Sequence, residues 1–507
     1  MRMAARWPLF ALAATLLALY LGWAAAQGLY GFPLDDAWIH QTYARNLAHS
    51  GRWFYFPGDA GRAGSTAPLW TLLLALGYAL RLPHLAWSWA LGGVCLLWLA
   101  LAGMRLWRQA WFAPIRGDLW VGAALLASWP LLWAAVSGME TLLFTALALT
   151  ALATYAAWAV RPERAARYTL ALLGGLCGLL ALARPEGLLA LLLVGVGVAL
   201  RPTARARRLA VLGLAATIPL APYFVFNWLT GGAPWPTTFY AKPAEYAAAL
   251  AEPFAARLAR LLFFSLGGPP EGWRGISGAH LALLPGLIAA GAQAARADWR
   301  ARRLLYLLPL AWALGHVALY AWRLPVTYQH GRYLMPVLPV WTVYGLAGWR
   351  VLLARLPDAA RMSWALRRAA AGTFGVLLAF FLLLGARAYA ADVALIEGEM
   401  VTAARWVAAN TPPEARIAAH DVGALGYFAP RPLLDLAGLL APEITPWLND
   451  PAALAAMIRT GGADYLVTAP GWPYAEVAQG AEPLFTTGYA PTRARGLNNV
   501  TVYRLRP

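Results

Sequence analysis

Long apolar runs separated by short arginine-rich stretches dominate the first three quarters of the chain. A helix needs about 20 mostly apolar residues to cross a bilayer core about 30 Å thick. Runs that approach this length lie near residues 7–26, 84–104, 118–136, 138–160, 168–183, 186–200, 209–228, 279–295, 303–322, 334–353 and 370–390. The pattern therefore predicts a mostly α-helical, polytopic membrane bundle with about eleven transmembrane helices.

The apolar segment 66–82, "TAPLWTLLLALGYALRL", is predicted to be an interfacial helix instead. If this segment crossed the membrane, the loop with Arg105, Arg108 and Arg116 would lie outside the cell. Short basic loops of membrane proteins are usually cytoplasmic, which argues against a crossing. With an interfacial helix here, the main basic clusters share one side. They are Arg2 and Arg6; Arg105, Arg108 and Arg116; Arg161, Arg164 and Arg167; Arg201, Arg205, Arg207 and Arg208; Arg296, Arg300, Arg302 and Arg303; Arg355, Arg361, Arg367 and Arg368.

This orientation places the N-terminus in the cytoplasm, while the first loop (27–83), the loop 229–278 and the C-terminal tail lie outside. Residues 7–26 could instead be a cleaved signal peptide, since the run ends in small residues. The outer placement of the first loop is the same in both cases. We expect a multi-pass protein of a bacterial cytoplasmic membrane.

Composition supports a membrane protein and excludes other classes. The chain of 507 residues is 61% hydrophobic and only 13% charged. Its formal net charge of +18 could attract nucleic acid, but the arginines fall in short stretches between apolar runs, so we expect no nucleic-acid partner. The two cysteines, Cys95 and Cys177, lie inside apolar runs and offer neither a disulfide framework nor a metal cluster.

From about Asp392 the sequence becomes mixed polar and apolar. Short strand-like runs, "ARIAAH", "PLLDLAG", "ADYLVTA" and "NVTVYRL", alternate with helical and Pro/Gly-rich pieces. We predict a membrane domain over residues 1–391 and a soluble, extracytoplasmic α/β domain over 392–507.

Two adjacent carboxylates, Asp35 and Asp36, follow the first apolar run in "GFPLDDAWIHQTYARNLAHSGRW". One of them could simply cap the next helix. Capping needs one acid, however, and the chain holds only 23 acidic residues. With His40 and Arg45 nearby, the pair is a candidate general base at the membrane surface, and we expect Asp35 to be the base and Asp36 to be the cap.

Further ionisable residues fall in the other predicted outer loops. Lys242 in "PTTFYAK" is the only lysine, and an ammonium can bind phosphate as a point charge, although a lysine that snorkels to the interface is the alternative. The remaining candidates are Glu140 in "SGMET", Arg184 and Glu186 in "LARPEG", and His330 and Arg332 in "YQHGRYLMP". Together these loops supply carboxylate bases and cations, the groups needed to displace a phosphate leaving group.

A linked set of motifs resembles the GT-C superfamily of membrane glycosyltransferases. The set is Asp-Asp, "YARNL", "PLWTLLLA", "SGMETLLF", "LARPEG", "TTFYAK", "GRYLMPVLP" and the tail "HDVGALGYF…LLDLAGL". The set resembles the bacterial branch that contains the mycobacterial terminal arabinofuranosyltransferase and, more distantly, protein O-mannosyltransferases. It runs from Leu34 to about Leu440.

The resemblance implies a sugar donor linked to polyprenyl phosphate and an acceptor glycan, lipid or protein of the cell envelope. Asp35 and Asp36 match the catalytic acidic motif, and residues 66–82 match an interfacial helix. The donor phosphate would be bound by Lys242, His330, Arg332 and Arg184. Further substrate contacts are expected from His40, Arg45, Glu140, Glu186, Tyr240, His420 and Asp421. Ala67 departs from the Asn that relatives often carry before "PLW".

The sequence leaves two other functional classes and the use of a divalent metal open. A flippase or transporter would place ionisable groups near the bilayer midplane at a repeat interface, but no internal repeat is visible. A structural scaffold would leave the outer acids and the lone lysine unexplained. No P-loop or dinucleotide fingerprint is present in the sequence, and whether a divalent metal assists is not decided by it.

Overall fold

The computed structural model describes residues 6–59, 61, 64–109, 117–160, 168–201, 204–268, 278–355, 361–472 and 477–505. Five arginines of the predicted cytoplasmic clusters, Arg2, Arg116, Arg161, Arg164 and Arg167, lie outside these residues. The described chain is mostly helical, with a small sheet near its C-terminal end.

Up to residue 396, the described residues are mainly α-helical. In chain order they are α1 (Trp7–Ala25), α2 (Asp35–Ser50), α3 (Pro68–Ala79), α4 (His84–Gln109), α5 (Asp118–Leu126), α6 (Trp129–Val136), α7 (Thr141–Val160), α8 (Tyr168–Ala183), α9 (Leu188–Ala199), α10 (Arg205–Gly231), α11 (Thr237–Glu245), α12 (Ala247–Leu250), α13 (Phe254–Ser265), α14 (Leu284–Arg300), α15 (Leu308–Arg323), α16 (Tyr328–Gly331), α17 (Leu338–Ala354) and α18 (Arg361–Ile396).

Six helical stretches of the described chain are long and apolar enough to cross a membrane, so the protein is a multi-pass membrane protein. They are α1, α4, α7, α10, the stretch Tyr328–Ala354 and the stretch Trp364–Asn410. A seventh span results if α5 and α6, which meet at a bend of 58°, are counted together.

The prediction of about eleven spans is therefore supported only in part. The other four predicted runs do form helices, α8, α9, α14 and α15, but these are 12 to 17 residues long. Pro185 explains two of the short helices, because a proline restricts the preceding residue to an extended conformation and separates α8 from α9. The predicted interfacial segment 66–82 forms α3, which packs on α2 and α4.

The C-terminal part continues directly from α18. A π-helical turn, Glu397–Val401, leads into α19 (Thr402–Asn410). The remaining elements are β1 (Ile417–Ala419), α20 (Gly423–Phe428), β2 (Leu433–Asp435), α21 (Pro451–Thr460), β3 (Tyr465–Thr468), β4 (Glu482–Thr486), α22 (Ala490–Ala494) and β5 (Thr501–Arg504). Because α18 runs through residues 391 and 392 without a break, the predicted domain boundary lies inside a helix, and the division into two domains stays a prediction.

The strands form one mixed sheet with the order β2-β1-β3-β5-β4. Strand β1 is parallel to β2 and β3, with Ile417 opposite Leu433 and Tyr465, whereas β5 is antiparallel to β3 and β4. The four predicted strand-like runs all form strands. Strand β4 was not predicted, because it is a largely exposed edge strand without the alternation of apolar and polar residues that marks a half-buried strand.

The C-terminal part packs on the first loop (27–83) through α20 and α2. The Trp38 ring lies 4.8 Å from Tyr427 and 4.7 Å from Phe428, centroid to centroid. Arg45 Nη1 donates a hydrogen bond to the Tyr427 carbonyl at 2.7 Å. Buried side chains of both parts belong to one hydrophobic core, so this contact holds the α2 N-terminus in a fixed position.

Candidate functional site

The two adjacent aspartates at the start of α2 point to different places. Helix α2 begins at Asp35 with Leu34 in the N-cap position, so neither carboxylate occupies the cap. Asp35 instead accepts hydrogen bonds from the amides of Gly423 and Ala424 at 2.7 and 2.8 Å, at the N-terminus of α20. Asp36 accepts a hydrogen bond from Arg332 Nη2. Successive residues of a helix point in different directions, which separates the two carboxylates.

Arg332 reaches Asp36 because of an unusual turn. Gln329 and His330 both have left-handed backbone conformations, with φ of 53° and 57°, and Gly331 follows with φ of 67°. A Cβ on Gly331 would collide with the Phe264 ring, so glycine is required there. The turn sends His330 and Arg332 to opposite sides. Arg332 is 4% exposed, and its Nε and Nη1 groups have no hydrogen-bond partner among the described residues.

Lys242 lies on α11, which is held from several sides. Thr238 donates a hydrogen bond to the Gly64 carbonyl of the first loop, and Asn449 Nδ2 donates to the Ala244 carbonyl at 2.7 Å. Lys242 Nζ lies 3.5 Å from Glu245 Oε2, one helical turn further on. Glu245 Oε1 in turn lies 3.4 Å from His420 Nε2. The C-terminal part therefore contacts the helix that carries the lysine.

Glu140 and His40 form a buried pair beside Asp36. Glu140 directly precedes α7, and the turn before it contains Gly138, whose φ of 76° and close contact with Phe32 exclude a side chain. His40 Nε2 lies 3.4 Å from Glu140 Oε2, and its Nδ1 lies 3.2 Å from Ser65 Oγ.

Arg184 and Glu186 flank the break between α8 and α9. The extended conformation of Arg184, enforced by Pro185, turns its side chain inward, where it is 4% exposed. Arg184 Nη1 lies 3.7 Å from Glu140 Oε1, and its Nε lies 3.5 Å from Glu186 Oε2. Tyr320 of α15 donates a hydrogen bond to Glu186.

These side chains surround one cavity of about 500 Å³, which we call the charged cavity. Its polar end is lined by Asp36, His40, Glu140, Arg184, Glu186, Lys242, Arg323 and Arg332. Its other end is apolar and is lined by Leu188, Leu189, Leu192, Trp235, Phe239, Leu319 and Trp322. Leu192 and Trp322 are more than 60% exposed, so the apolar end opens on the outer surface of α9 and α15.

The electrostatics of the cavity keep its carboxylates ionised. Burial would raise the pKa of Asp36, but the charges of Arg332 and Lys242 outweigh burial and hold this pKa well below its ordinary value. Burial would likewise lower the pKa of Lys242, yet Asp36, with smaller contributions from neighbouring groups, raises it. For Glu140, burial is outweighed by the hydrogen bond from His40 and the charge of Arg184, and the pKa falls to about 2.

Of the thirteen predicted site residues, seven line this cavity and six do not. Asp35 is bound to α20, Arg45 holds Tyr427, and Tyr240 lies 42% exposed beside Phe239. His330 faces a second cavity because of the left-handed turn. His420 and Asp421 lie behind Glu245, where the His420 Nδ1 atom is 3.1 Å from Asp421 Oδ1.

The sequence-based prediction missed several residues of the cavity. Glu245, which pairs with Lys242 but does not itself line the cavity, could have been found, because positions three residues apart face each other on a helix. Tyr320, Arg323 and Tyr333 had no local signal, because they reach the cavity from α15 and from the turn after α16.

The described residues contain no group of three or more His, Cys, Asp or Glu side chains placed to hold one metal ion. The participation of a divalent metal stays an open expectation of the sequence.

Comparison with known proteins places the fold. A family model described as a domain of unknown function (DUF8728) matches residues 389–503, and no curated protein gives a significant match to the sequence. The structure is similar to ArnT from Cupriavidus metallidurans bound to undecaprenyl phosphate, with a TM-score of 0.58 and 15% identity over 100% of both chains.

It is also similar to the oligosaccharyltransferase AglB from Archaeoglobus fulgidus in complex with an inhibitory peptide and a dolichol-phosphate. Here the TM-score is 0.55 with 11% identity over 92% of this chain and 70% of AglB. The arabinofuranosyltransferase AftD from mycobacteria matches with a TM-score of 0.48 and 15% identity over 99% of this chain and 40% of AftD. The likeness to ArnT and AglB confirms a GT-C fold over nearly the whole chain.

Proposed function

We propose that the protein is a glycosyltransferase that moves a sugar from a polyprenyl-phosphate donor to an acceptor of the cell envelope, which is a glycan, a lipid or a protein. The observation that carries this proposal is the placement of Asp36, Arg332 and Lys242 at the polar end of a cavity whose apolar end opens on the exposed apolar surface of α9 and α15. The solved relatives with the same fold were bound to undecaprenyl phosphate and dolichol-phosphate, which have this combination of phosphate and hydrocarbon chain.

The cavity matches such a donor in charge and in shape. Lys242 and the unpartnered N–H groups of Arg332 suit a phosphate, since both can donate charge-assisted hydrogen bonds. The isoprenoid chain would leave along Leu192 and Trp322 toward the lipid. A volume of about 500 Å³ is within the usual range for ligand sites.

Asp36 is the carboxylate that we assign as the general base. Its ordinary role in the empty cavity is to pair with Arg332, which keeps it ionised. A bound donor phosphate competes for Arg332, and this competition raises the basicity of Asp36 at the moment when a base is needed. Asp35 is assigned a structural role, since both of its oxygens are bound by α20 amides.

The transfer then follows directly. Asp36 accepts the proton of the acceptor hydroxyl, whose oxygen forms a bond to the anomeric carbon as the bond between that carbon and the phosphate oxygen breaks. Negative charge grows on the departing phosphate. Arg332 and Lys242 bind this charge more strongly in the transition state than in the donor, which lowers the barrier.

The reaction is assigned to the extracytoplasmic face of a bacterial cytoplasmic membrane. The first loop, α11 and the C-terminal part contact one another, so they lie on one side. Arg105 and Arg108 lie at the opposite end of α4, and Arg205 begins α10, whose other end leads to α11. The basic ends are then cytoplasmic, as the positive-inside rule requires.

The decisive experiment supplies purified protein in nanodiscs with polyprenyl-phosphate sugars and with envelope extracts as acceptors. Asp36→Asn should reduce transfer by about 10² to 10⁴, the usual loss for a general base, while polyprenyl phosphate still binds. Asp59→Asn is the matched control, because Asp59 lies in the same loop but binds the amides of Tyr55 and Gly61 outside the cavity. Near wild-type transfer by Asp36→Asn would refute the assignment, and lipid translocation without transfer would favour a flippase.

A further inference from the structure

A second cavity of about 670 Å³ lies among α6, α13, α16, α17 and α18. We call it the tryptophan cavity, defined by Trp129, Trp133, His330, Asp392 and Phe381, all of which line it. It shares no lining residue with the charged cavity. None of the predicted substrate contacts except His330 lies in it.

One wall of the tryptophan cavity carries a linked polar cluster. His330 Nε2 lies 2.7 Å from Asp392 Oδ2, and the same oxygen accepts a hydrogen bond from Trp133 Nε1 at 3.0 Å. The rings of Trp129 and Trp133 lie 5.1 and 5.2 Å from the His330 ring. The His330 and Asp392 side chains are each more than a quarter exposed, so both are accessible from the cavity.

The tryptophan cavity differs from the charged cavity in the charge of its lining side chains. No lysine or arginine is among the residues that line the tryptophan cavity in the described chain. Its other polar lining side chains are uncharged amide, hydroxyl and buried imidazole groups, and the Gln329 Oε1 atom is buried without a hydrogen-bond partner among the described residues. Such a wall suits a neutral group rich in hydroxyls and would not compensate a phosphate.

The opposite wall is apolar and faces the membrane. Phe381, Leu384 and Leu395 of α18 line it, together with Met335 and Leu338. Leu384 is 37% exposed, and its helix neighbours Phe380 and Leu383 are each 55% exposed. A hydrocarbon chain can therefore extend from the cavity along the outer surface of α18.

The two cavities are separated by a single backbone segment. Gly331 lines the tryptophan cavity, and the next residue, Arg332, lines the charged cavity. Pro33, three residues before Asp36, also lines the tryptophan cavity. A headgroup bound there lies next to the segments that carry the proposed base and the phosphate-binding arginine.

We propose that the tryptophan cavity binds a neutral glycolipid acceptor, that is, a hydrocarbon chain with an uncharged, hydroxyl-rich headgroup whose reacting hydroxyl extends past Gly331 to Asp36 in the charged cavity. Its role as acceptor rests on the proposed function, whereas its binding does not. Asp392 and His330 hold headgroup hydroxyls, the two tryptophan rings pack against the sugar ring, and α18 guides the chain.

Photo-crosslinking in nanodiscs free of glycoside detergent tests the site. The probe is dodecyl maltoside with a diazirine in its chain, and the matched probe is dodecyl phosphate with the same diazirine. We expect the maltoside to label peptides of α6 and α18, in competition with unlabelled dodecyl maltoside, and Asp392→Ala to lower this labelling at least tenfold. Trp133→Phe, which removes the N–H donor to Asp392 and leaves a smaller aromatic ring, should lower it less. Arg387→Ala changes an exposed residue of the same helix and should keep the labelling within twofold.

The outcomes separate this site from the proposed function. Labelling that Asp392→Ala leaves unchanged, or equal labelling of these peptides by dodecyl phosphate, would overturn the glycolipid site even if the protein transfers sugar. Asp36→Asn should retain maltoside labelling. If wild-type protein transfers sugar, Asp392→Ala should raise the KM for the acceptor and leave the KM for the donor unchanged; a raised donor KM alone would refute the acceptor role.

Discussion

The charged cavity and the tryptophan cavity have the same general construction but opposite electrostatics. Each joins a polar wall to an apolar wall that opens toward the membrane. In the charged cavity four cations, Arg184, Arg323, Arg332 and Lys242, face three carboxylates, an excess of one positive charge among the described lining residues. In the tryptophan cavity the single carboxylate, Asp392, is paired with an imidazole.

This difference would allow one segment to serve the two proposed ligands. An excess of one positive charge matches a phosphodiester, which carries one negative charge, and the surrounding carboxylates stabilise the buried guanidinium groups while the cavity is empty. A neutral headgroup needs no such excess. The left-handed turn at Gln329 and His330 directs His330 into one cavity and Arg332 into the other, at a cost of about 1–2 kcal/mol for each non-glycine residue.

The largest expected effect is the difference between substituting Arg332 and substituting His330. Arg332→Gln removes the partner of Asp36 and the nearest unpartnered donors for a phosphate, so we expect transfer to fall by about 10² or more and polyprenyl-phosphate affinity to fall with it. His330→Gln should leave polyprenyl-phosphate affinity within twofold and raise the KM for the acceptor instead. Steady-state kinetics and lipid binding in nanodiscs measure both. Equal loss of polyprenyl-phosphate affinity in the two variants would abolish the division between the cavities.

A smaller effect is expected at Lys242. Lys242→Ala should weaken polyprenyl-phosphate binding by about 10- to 100-fold, since a hydrogen bond to a charged group contributes about 1.5–3 kcal/mol. Lys242→Arg should recover only part of the affinity, because a planar guanidinium does not replace a compact ammonium beside Glu245. Arg260→Ala is the matched control, since it removes a cation on α13 that pairs with Glu252 outside the cavity. Unchanged lipid affinity in Lys242→Ala would show that the lysine is only an interfacial anchor.

The elements of the fold were predictable where the signal is local. Apolar runs mark the helices, and the four strand-like runs after Asp392 all form strands. Strands β1, β2 and β3 are buried along their whole length, which favours a short, mainly apolar run. The number of spans was not predictable in the same way. The bend at α5 and α6 and the break at Pro185 shorten or divide apolar runs without changing their composition.

The residue types of the candidate site were predictable from the sequence, but the directions in which their side chains point were not. Asp36, Lys242 and Arg332 were found because charged groups are rare in an apolar chain. Asp35, Arg45 and His330 were grouped with them because they are close in sequence. Their side chains are directed elsewhere by the docking of α20 and by the left-handed turn, which are long-range or backbone features that no residue spacing reveals.

The smallest expected effect concerns Asp35 and separates a structural carboxylate from a catalytic one. Burial and the charge of Asp421 raise the pKa of Asp35 to about 7, although the amides of Gly423 and Ala424 lower it. Because the pKa in the folded protein exceeds the ordinary value of 3.8, the folded protein binds a proton over a pH range in which the unfolded chain has released it. The stability from this group is complete below pH about 4 and is lost as the pH rises through 7.

Wild-type protein should therefore have a lower Tm at pH 8 than at pH 6, and Asp35→Asn should reduce that difference by on the order of 2 °C. The asparagine amide does not titrate between pH 6 and pH 8. It keeps one oxygen that accepts from the α20 N–H groups, so transfer should fall far less than in Asp36→Asn. If Asp35→Asn keeps the wild-type pH dependence of Tm but loses transfer by about 10² or more, as a general base would, the roles of the two aspartates must be exchanged.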